Sequence, residues 1–533
     1  MLRLPQHQTK TLLAIHGWSA VLLGLLLYAV IVTGVACVFA REIADWSSPL
    51  ERAVDDPYPR GTDMALRRLA ATVPAQYQEE LFFYPRAGGR LYAFFHRHEQ
   101  DAGGKPVERG VAAEIDPLSL QILARREGSA DALQRSERSN ALADFMVEMH
   151  VRLHVPDPYG LLLTGVLGLA MLVAAVSGFL IHRHLLREIF TLRRWRAQRG
   201  ADGALLASRD AHVLAGSWNL PFSFILAFTG SYFSFASAFG IPAMAMVAFK
   251  GDQEAMITAI VGHPAQEDRR MQATADLDAM LADARARSGV APSFVQLEHW
   301  QRADARVTFF LPAQGSQLSS PTYVYDGASG AFVQEKPVLG LRPSLGGALA
   351  DLMAPLHFGN FAGLLSKALW FALGFAAAYV ALSGLQLWTQ RRAESRAWRR
   401  LARAVHWVGY GLPLALIATA HAYFPARQSE VLPQEAMMQM FLLVAALSAL
   451  AALLIRELAQ LRRLLLLATA VALLGLPVLR LLCGGPGWWR ALQAQLYGVP
   501  ALDLLLLAAG IWCLWLIRSP GTLRMPSLRE LRS

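Results

Sequence analysis

Histidine is the residue type whose placement in this sequence points most directly to chemistry. Of the 14 histidines, several lie at the ends of long apolar runs rather than within polar segments. His16 and His212 each stand 17 residues ahead of a Thr-Gly pair, at the start of an apolar run. His154 and His357 each close a long polar segment just before the next apolar run. Ionisable side chains at membrane depth are costly, so these four positions favour a functional interpretation.

The pattern predicts two b-type haems, one near each membrane face. Haem iron commonly takes neutral imidazoles as axial ligands, and ligands in helix bundles project inward from facing helices. Since a helix rises 1.5 Å per residue, the two ends of one span lie roughly 40 Å apart, and each haem must take its ligands from different helices. We expect His16 with His212 at the inner haem and His154 with His357 at the outer one. Two alternative ligands remain: His182 for either inner partner, and His150, one helical turn from His154.

An ordinary interpretation competes with this one, because imidazole rings are tolerated where a membrane meets water. It accounts well for the histidines that have no equivalent in the other half of the chain, namely His184, His406 and His421. The histidines within the polar segments are taken as surface or fold residues: His96, His98, His263 and His299. The ordinary interpretation does not account for the two pairs at repeat-equivalent positions, His16 with His212 and His154 with His357.

The elements that must position these histidines are membrane helices. The 533-residue chain is 54% hydrophobic and 17% charged, which is too apolar for a soluble protein. A span needs about 20 apolar residues. Such runs lie near residues 12–40, 159–182, 213–238, 361–389, 405–424, 436–455, 464–483 and 499–517. The first run is too long for a signal peptide, so we expect a retained helix and about eight spans in all.

The charge distribution predicts the orientation of these spans. The net charge is +10, and the basic residues cluster in short segments such as 182–200 and 390–406. By the positive-inside rule these segments are cytoplasmic, which places both termini in the cytoplasm. The polar stretches 41–157 and 239–358 are then extracytoplasmic. The same clustering is typical of membrane orientation, with lipid as the surrounding partner, and not of nucleic-acid binding. The three cysteines form no CxxC or CxxCH motif, so a thiolate metal site and covalently attached haem lack support.

An internal duplication organises the first 390 residues into two copies of span, small outer domain and span. Each outer segment predicts one amphipathic helix, at 274–289 in the second copy, followed by short strands and a turn at Asp326-Gly327. Two small periplasmic α+β domains follow from this plan. The predicted division is transmembrane helix 1 over 1–40, domain 1 over 41–157, transmembrane helices 2 and 3 with a basic cytoplasmic loop over 158–238, domain 2 over 239–358, transmembrane helix 4 over 359–390, and a C-terminal four-helix region over 391–533.

The motifs at the ends of these spans resemble a known family. HVPDPYGLLLTGVLGLAMLVAAVSGFLIHRH, DAHVLAGSWNLPFSFILAFTG and PLHFGNFAGLLSKALWFALGFAAAYVALSGLQLWTQRR are similar to segments of the PepSY-associated transmembrane family, over roughly residues 8–395. The resemblance implies PepSY-like outer domains, and it implies an inner-membrane protein of iron uptake, in some members a haem-containing ferric-siderophore reductase. It would carry haem ligation onto His16, His154, His182, His212 and His357. The four C-terminal spans exceed the usual four-helix core of the family.

These expectations combine into a transmembrane reductase that passes single electrons through two b-type haems to a ferric siderophore or other periplasmic iron chelate. The chain has no GxGxxG fingerprint between a strand and a helix, so the donor is expected to be a membrane quinol or a separate cytoplasmic reductase. The main alternative is a non-enzymatic PepSY protein that binds or regulates a periplasmic protease or partner. A transporter built on the extra helices, and a copper site at Met437, Met438 and Met440, are weaker alternatives.

Overall fold

A computed structural model describes residues 5–86, 89–100, 106–181, 201–261, 267–312, 320–338 and 340–518 of the chain. Within these ranges, eight helices are long and apolar enough to cross a membrane. The protein is therefore a polytopic membrane protein, as the apolar runs of the sequence predicted. The basic loop expected at 182–200 lies outside the described residues.

The first repeat begins and ends with a membrane helix. Its elements are, in chain order, α1 (Gln6–Cys37), α2 (Ala40–Ser47), α3 (Thr62–Ala70), β1 (Glu80–Pro85), β2 (Leu91–Gln100), β3 (Pro106–Ile115), β4 (Ile122–Ser129), α4 (Ala130–Arg135), α5 (Ala141–Arg152) and α6 (Tyr159–Ile181). Helix α1 is long because its apolar run contains no proline or charged residue to end it, and α6 is apolar throughout.

The second repeat follows the same plan. Its elements are α7 (Ala201–Phe235), α8 (Ile241–Phe249), α9 (Gln253–Val261), α10 (Leu277–Ser288), β5 (Phe294–Glu298), β6 (Arg306–Phe310), β7 (Pro321–Asp326), β8 (Phe332–Pro337), α11 (Leu345–Phe358) and α12 (Gly363–Gln390). The predicted amphipathic helix at 274–289 is α10, and the side chain of Asp276 caps it by accepting hydrogen bonds from the backbone N–H groups of Asp278 and Ala279.

The two outer segments share one antiparallel sheet of eight strands, in the order β4-β3-β2-β1-β5-β6-β7-β8. The halves join where β1 pairs with β5, with Glu80 opposite Glu298 and Phe83 opposite Val295. This pairing provides hydrogen-bond partners for the backbone N–H and C=O groups of two strands that would otherwise be edge strands. Helices α3 and α10 cover one face, where a single core includes Leu66. The two predicted α+β modules are thus present in plan, but their sheets are continuous.

The C-terminal region adds four spans and one short helix: α13 (Arg396–Arg427), α14 (Pro433–Leu454), α15 (Leu458–Leu482), α16 (Trp488–Gln493) and α17 (Gly498–Arg518). A buried ion pair fixes this region, with Arg480 Nη2 2.7 Å from Asp503 Oδ2 and both side chains at most 1% exposed. The Asp503 carboxylate also accepts hydrogen bonds from the indole N–H groups of Trp46 and Trp488, at 2.7 and 2.8 Å. Because Trp46 belongs to α2, this network links the C-terminal region to the first repeat.

Candidate functional site

The inner pair of histidines meets between the two repeats. The ring centres of His16 on α1 and His212 on α7 lie 6.5 Å apart, and the ring planes are inclined by 74°. His16 Nδ1 lies 3.0 Å from the carbonyl oxygen of Ala174 and 3.2 Å from Ser177 Oγ. His212 Nδ1 lies 3.0 Å from Ser383 Oγ. The prediction that these two histidines face each other agrees with the structure.

These hydrogen bonds determine which nitrogen of each inner ring is free. The Ala174 carbonyl only accepts, so Nδ1 of His16 carries the proton. Ser383 Oγ donates its own proton to the Val380 carbonyl and accepts from His212 Nδ1. In both rings the lone pair is therefore on Nε2. Histidines that ligate a metal typically donate their other N–H to a carbonyl or hydroxyl in this way.

The outer pair consists of His150 on α5 and His357 on α11, with ring centres 6.0 Å apart and ring planes inclined by 31°. His150 Nδ1 donates to the Val30 carbonyl oxygen at 2.9 Å. His357 Nδ1 lies 2.9 Å from Thr229 Oγ1, which donates its own proton elsewhere, to a backbone carbonyl one helical turn earlier. Burial lowers the pKa of His150. Burial, together with the nearby His150, lowers the pKa of His357 to about 3. Both rings are therefore neutral, with Nε2 free.

The ends of the short helices position the outer pair. His150 lies in the last turn of α5, which ends at Leu153 in the left-handed backbone region (φ 54°). His357 lies in the last turn of α11, which ends at Gly359 with φ 64°. Both helices therefore stop just after presenting an imidazole towards a membrane helix of their own repeat, α1 in the first case and α7 in the second.

Every ring of the two pairs lies against a glycine that follows a serine or threonine. A Cβ built on each glycine would meet Cε1 of one ring, at 3.4 Å for Gly178 against His16, 2.8 Å for Gly34 against His150, 3.0 Å for Gly384 against His212, and 3.2 Å for Gly230 against His357. The hydroxyl residues before them are Ser177, Thr33, Ser383 and Thr229. The local motif is therefore Ser/Thr-Gly on one helix and histidine on another, four times over. At Gly34, Gly384 and Gly230 the ring lies closer than a Cβ ordinarily packs, whereas the contact at Gly178 is an ordinary one.

Helix geometry separates the two pairs by about two-thirds of a span. His16 and Val30 lie on α1, 14 positions apart, which corresponds to about 21 Å. His212 and Thr229 lie on α7, 17 positions apart, which corresponds to about 25 Å. The pairs therefore lie at opposite ends of the bundle formed by α1, α6, α7 and α12.

The ring separations fit a metal ion between each pair. A metal–nitrogen bond of about 2.0 Å, added to about 1.1 Å from that nitrogen to the ring centre, places each ring centre about 3.1 Å from the metal. Two imidazoles on opposite sides of one metal then have centres about 6.2 Å apart. The observed 6.5 and 6.0 Å bracket this value. The donor set of two neutral imidazoles is the one that haem iron accepts.

A cavity of about 1250 Å³ surrounds the inner pair. It is larger than the roughly 300–1000 Å³ of ordinary small-molecule pockets. His16, His212 and two of the ring-facing glycines line it, and so do four basic side chains, Lys10, Arg209, Arg391 and Arg392. The cavity is therefore apolar in its depth, with positive charge near one end.

The family profile described as the PepSY-associated TM region matches residues 13–391, which covers both repeats and both histidine pairs. The chain belongs to this family. The chain is also similar to the uncharacterised protein PA4219 of Pseudomonas aeruginosa, with 30% identity over 326 residues, covering 58% of this chain and 80% of that protein. In this member of the PepSY-associated family, α13 to α17 lie beyond the matched region.

One predicted ligand has another position in this PepSY-associated protein, and a second lies outside the described residues. The structure does not bring His154 to His357, because the backbone turns at the end of α5 and the His154 ring packs on Phe145 with ring centres 4.3 Å apart. His150 takes the place opposite His357 that was expected for His154. In the sequence analysis His150 was only the alternative ligand. His182 lies outside the described residues.

Proposed function

We propose that the protein is a di-haem b membrane reductase that passes electrons across the bilayer to a ferric chelate. The single observation that carries this proposal is the presence of two histidine pairs at opposite ends of one helix bundle, each with the ring separation that a shared metal needs. Haem bound at such a pair supplies a one-electron carrier. Two carriers at different depths are what electron transfer across a membrane requires.

The residues that would hold each haem have separate tasks. His16 and His212 supply the ligand nitrogens at one site, and His150 and His357 supply them at the other. The carbonyl or hydroxyl at each Nδ1 orients the ring and makes its Nε2 more basic. Gly34, Gly230 and Gly384 permit this approach, because a Cβ at any of these three positions would lie 2.8–3.2 Å from Cε1 of the ring.

The basic side chains of the inner cavity suit the carboxylates that haem carries. Arg209, Arg391 and Arg392 line the cavity that also contains His16 and His212. Guanidinium groups hold carboxylates through charge-assisted hydrogen bonds. The apolar depth of the same cavity suits the macrocycle, so both parts of a haem find complementary surroundings.

We infer that the inner pair faces the cytoplasm of a bacterium and that the protein resides in the inner membrane. The basic segment 390–406 follows α12 at the end that carries the inner pair, which supports this orientation through the positive-inside rule. The eight-stranded sheet and the outer pair then lie on the periplasmic side. A quinol or a cytoplasmic reductase would supply electrons at the inner pair.

The substrate that we propose is a ferric siderophore or another periplasmic iron chelate bound near His150 and His357. Reduction weakens its oxygen ligation, because Fe(II) carries less charge and is softer than Fe(III). The residues of this chain position the outer carrier close to the sheet, where a chelate too polar to enter the bilayer can approach.

A reconstitution assay tests this function. The protein is placed in lipid vesicles with a reduced quinol in the membrane, a ferric trihydroxamate outside and a chromogenic Fe(II) chelator to record the product. We expect Fe(II) formation that depends on the protein and is lost in His150→Ala and His357→Ala. His154→Ala is the matched control, since it removes a neighbouring imidazole that faces neither ring of the outer pair.

The outcomes separate the two candidate functions. A protein without a Soret band and without Fe(II) formation contradicts the reductase and leaves a PepSY protein that binds or regulates a periplasmic partner. Loss of activity in His154→Ala together with full activity in His150→Ala contradicts the ligand assignment at the outer pair.

A further inference from the structure

A second group of metal-ligating side chains lies on the extramembrane sheet, far from the helix bundle. Glu80 on β1 is the cross-strand partner of His96 on β2, and His98 lies two residues further along the same strand. Residues two apart on a strand point to the same face. One ligand atom from each of the three side chains lies within 4.8 Å of the others, and this is the one such group of three within the described ranges.

The buried nitrogen of His96 has no hydrogen-bond partner. His96 is 0% exposed, and its Nδ1 donates to the Phe94 carbonyl oxygen at 3.3 Å. The lone pair is therefore on Nε2, which has no hydrogen-bond partner and points at the Glu80 carboxylate 3.6 Å away. This distance is too long for a direct hydrogen bond. A buried acceptor without a donor is destabilising, and a cation between this nitrogen and the carboxylate would remove that penalty.

Aromatic rings hold this imidazole in place. Phe94 stacks on His96 with ring centres 4.6 Å apart and planes inclined by 5°, and Phe82 packs on it at 4.3 Å. By contrast, the side chain of His98 is 58% exposed and that of Glu80 18% exposed. The group therefore combines one rigid buried ligand with an opening to solvent through which an ion can enter.

The spacing of the ligand atoms matches metal coordination. Ligands about 2.1 Å from a tetrahedral ion lie about 3.4 Å from one another. His96 Nε2 is 3.6 Å and His98 Nε2 is 3.4 Å from the oxygens of Glu80. Two imidazoles and one carboxylate are the donor set that suits first-row transition ions, whereas calcium and magnesium prefer oxygen ligands alone.

The surrounding charges favour a cation. Glu108 on β3 is the cross-strand partner of His98, and Glu298 on β5 is the cross-strand partner of Glu80. These two carboxylates add negative charge beside the three ligands, so a positive ion would be stabilised there.

We propose that Glu80, His96 and His98 bind one divalent first-row transition-metal ion, such as Zn²⁺ or Fe²⁺, at the sheet surface. The three side chains occupy one side of the ion and leave its remaining positions to solvent or a ligand. The site lies on β1 and β2, next to the seam at which β1 pairs with β5 of the second repeat. This metal site is separate from the two histidine pairs, because its three ligands lie on β1 and β2 of the sheet.

Zinc binding to the purified full-length protein tests the site. The protein is first treated with a chelator, then equilibrated with Zn²⁺ by dialysis, and bound zinc is counted by elemental analysis. We expect one zinc ion per chain that is lost, or bound at least 10-fold more weakly, in His98→Ala and in Glu80→Gln. Both changes alter exposed or part-exposed groups, so the sheet is expected to fold. His299→Ala, in the turn that follows β5, removes an imidazole that is not one of the three ligands; it is the control and should bind zinc as the unmodified protein does.

Two results would overturn the site. One is an unmodified protein that binds no zinc above the level of buffer alone. The other is equal zinc binding by the unmodified protein, His98→Ala and Glu80→Gln. Haem content measured on the same samples reports separately on the proposed function, so a colourless protein whose bound zinc is lost in His98→Ala contradicts the reductase and supports the metal site.

Discussion

Replacement of Gly34 by alanine is the sharpest test of the outer site. The added Cβ would lie 2.8 Å from Cε1 and 3.1 Å from Nδ1 of His150. Carbon atoms pack at about 3.5 Å or more, so the ring must move by about 0.7 Å. Metal-binding geometry tolerates about 0.5 Å. The ring cannot adjust freely, because its Nδ1 is tied to the Val30 carbonyl at 2.9 Å.

The magnitude follows from the cost of overpacking. An extra methyl group in a packed site costs typically about 1–3 kcal/mol, which corresponds to roughly 5- to 150-fold weaker haem binding at the outer pair. Alanine is a better helix former than glycine, so Gly34→Ala should not weaken α1 itself. We expect the variant to retain the inner haem and to lose part of the outer one. Haem per chain after size-exclusion chromatography, together with a reductive titration, measures both sites.

Two alanine variants serve as controls for this prediction. A Cβ at Gly178 would lie 3.4 Å from the His16 ring, which is ordinary contact. A Cβ at Gly24, on the same helix as Gly34, would have the flexible side chain of Leu385 as its nearest neighbour, at 3.3 Å. Both variants should keep two haems per chain. If Gly34→Ala also keeps two haems with unchanged midpoint potentials, the ring does not depend on the glycine and the reasoning is refuted.

Three other perturbations have expected outcomes. Asp503→Asn leaves its buried arginine partner uncompensated, so we expect a loss of about 3–5 kcal/mol and a clearly lower thermal unfolding midpoint in detergent, whereas an unchanged midpoint would contradict the role of the ion pair. Burial alone would raise the pKa of Glu137, but two neighbouring arginines lower it to about 2, so its contribution, at most about 3 kcal/mol, is present above about pH 4.3 and is lost as the pH falls towards 2. Glu137→Gln should therefore lower stability at pH 7 and reduce its loss on acidification, as monitored by the unfolding midpoint from pH 7 to pH 3. Thr229→Val removes the acceptor of an outer-pair Nδ1 and should weaken haem binding about 10- to 100-fold, whereas Thr33→Val, whose nearby ring bonds to a carbonyl instead, should change little; equal effects would argue against the hydrogen-bond assignment.

The membrane helices and the inner pair were predictable because they depend on local patterns. Apolar runs of about 20 residues determine spans almost by length alone. His16 and His212 occupy equivalent positions in a visible repeat, so the facing arrangement followed from symmetry. The repeat also predicted that each outer segment contains a helix and several strands, as α3 and α10 with their strands show.

The choice between His150 and His154 depended on a boundary that the sequence did not reveal. Helix α5 ends in two consecutive residues with φ 54°, Leu153 and His154, neither of which is a glycine. Left-handed backbone at such residues is uncommon, so no sequence signal placed the end of the helix before His154.

The contacts between distant segments were the least predictable. The pairing of β1 with β5 joins two modules that the sequence treats as separate, because nothing local records which strand edges meet. His96 and His98 were taken as ordinary residues, although their spacing on one strand places them on one face. Their carboxylate partner became apparent only with the register of the hairpin, which sets Glu80 opposite His96.

Haem content of the purified protein shows whether the two histidine pairs hold haem. The full-length chain is produced in cells supplied with iron and a porphyrin precursor, purified in detergent, and assayed for haem b and protein on the same sample. We expect two haems b per chain and a reduced spectrum with sharp α and β bands, as for iron held by two imidazoles. Protein that emerges colourless from this procedure, with the correct size and a folded thermal transition, would contradict this expectation.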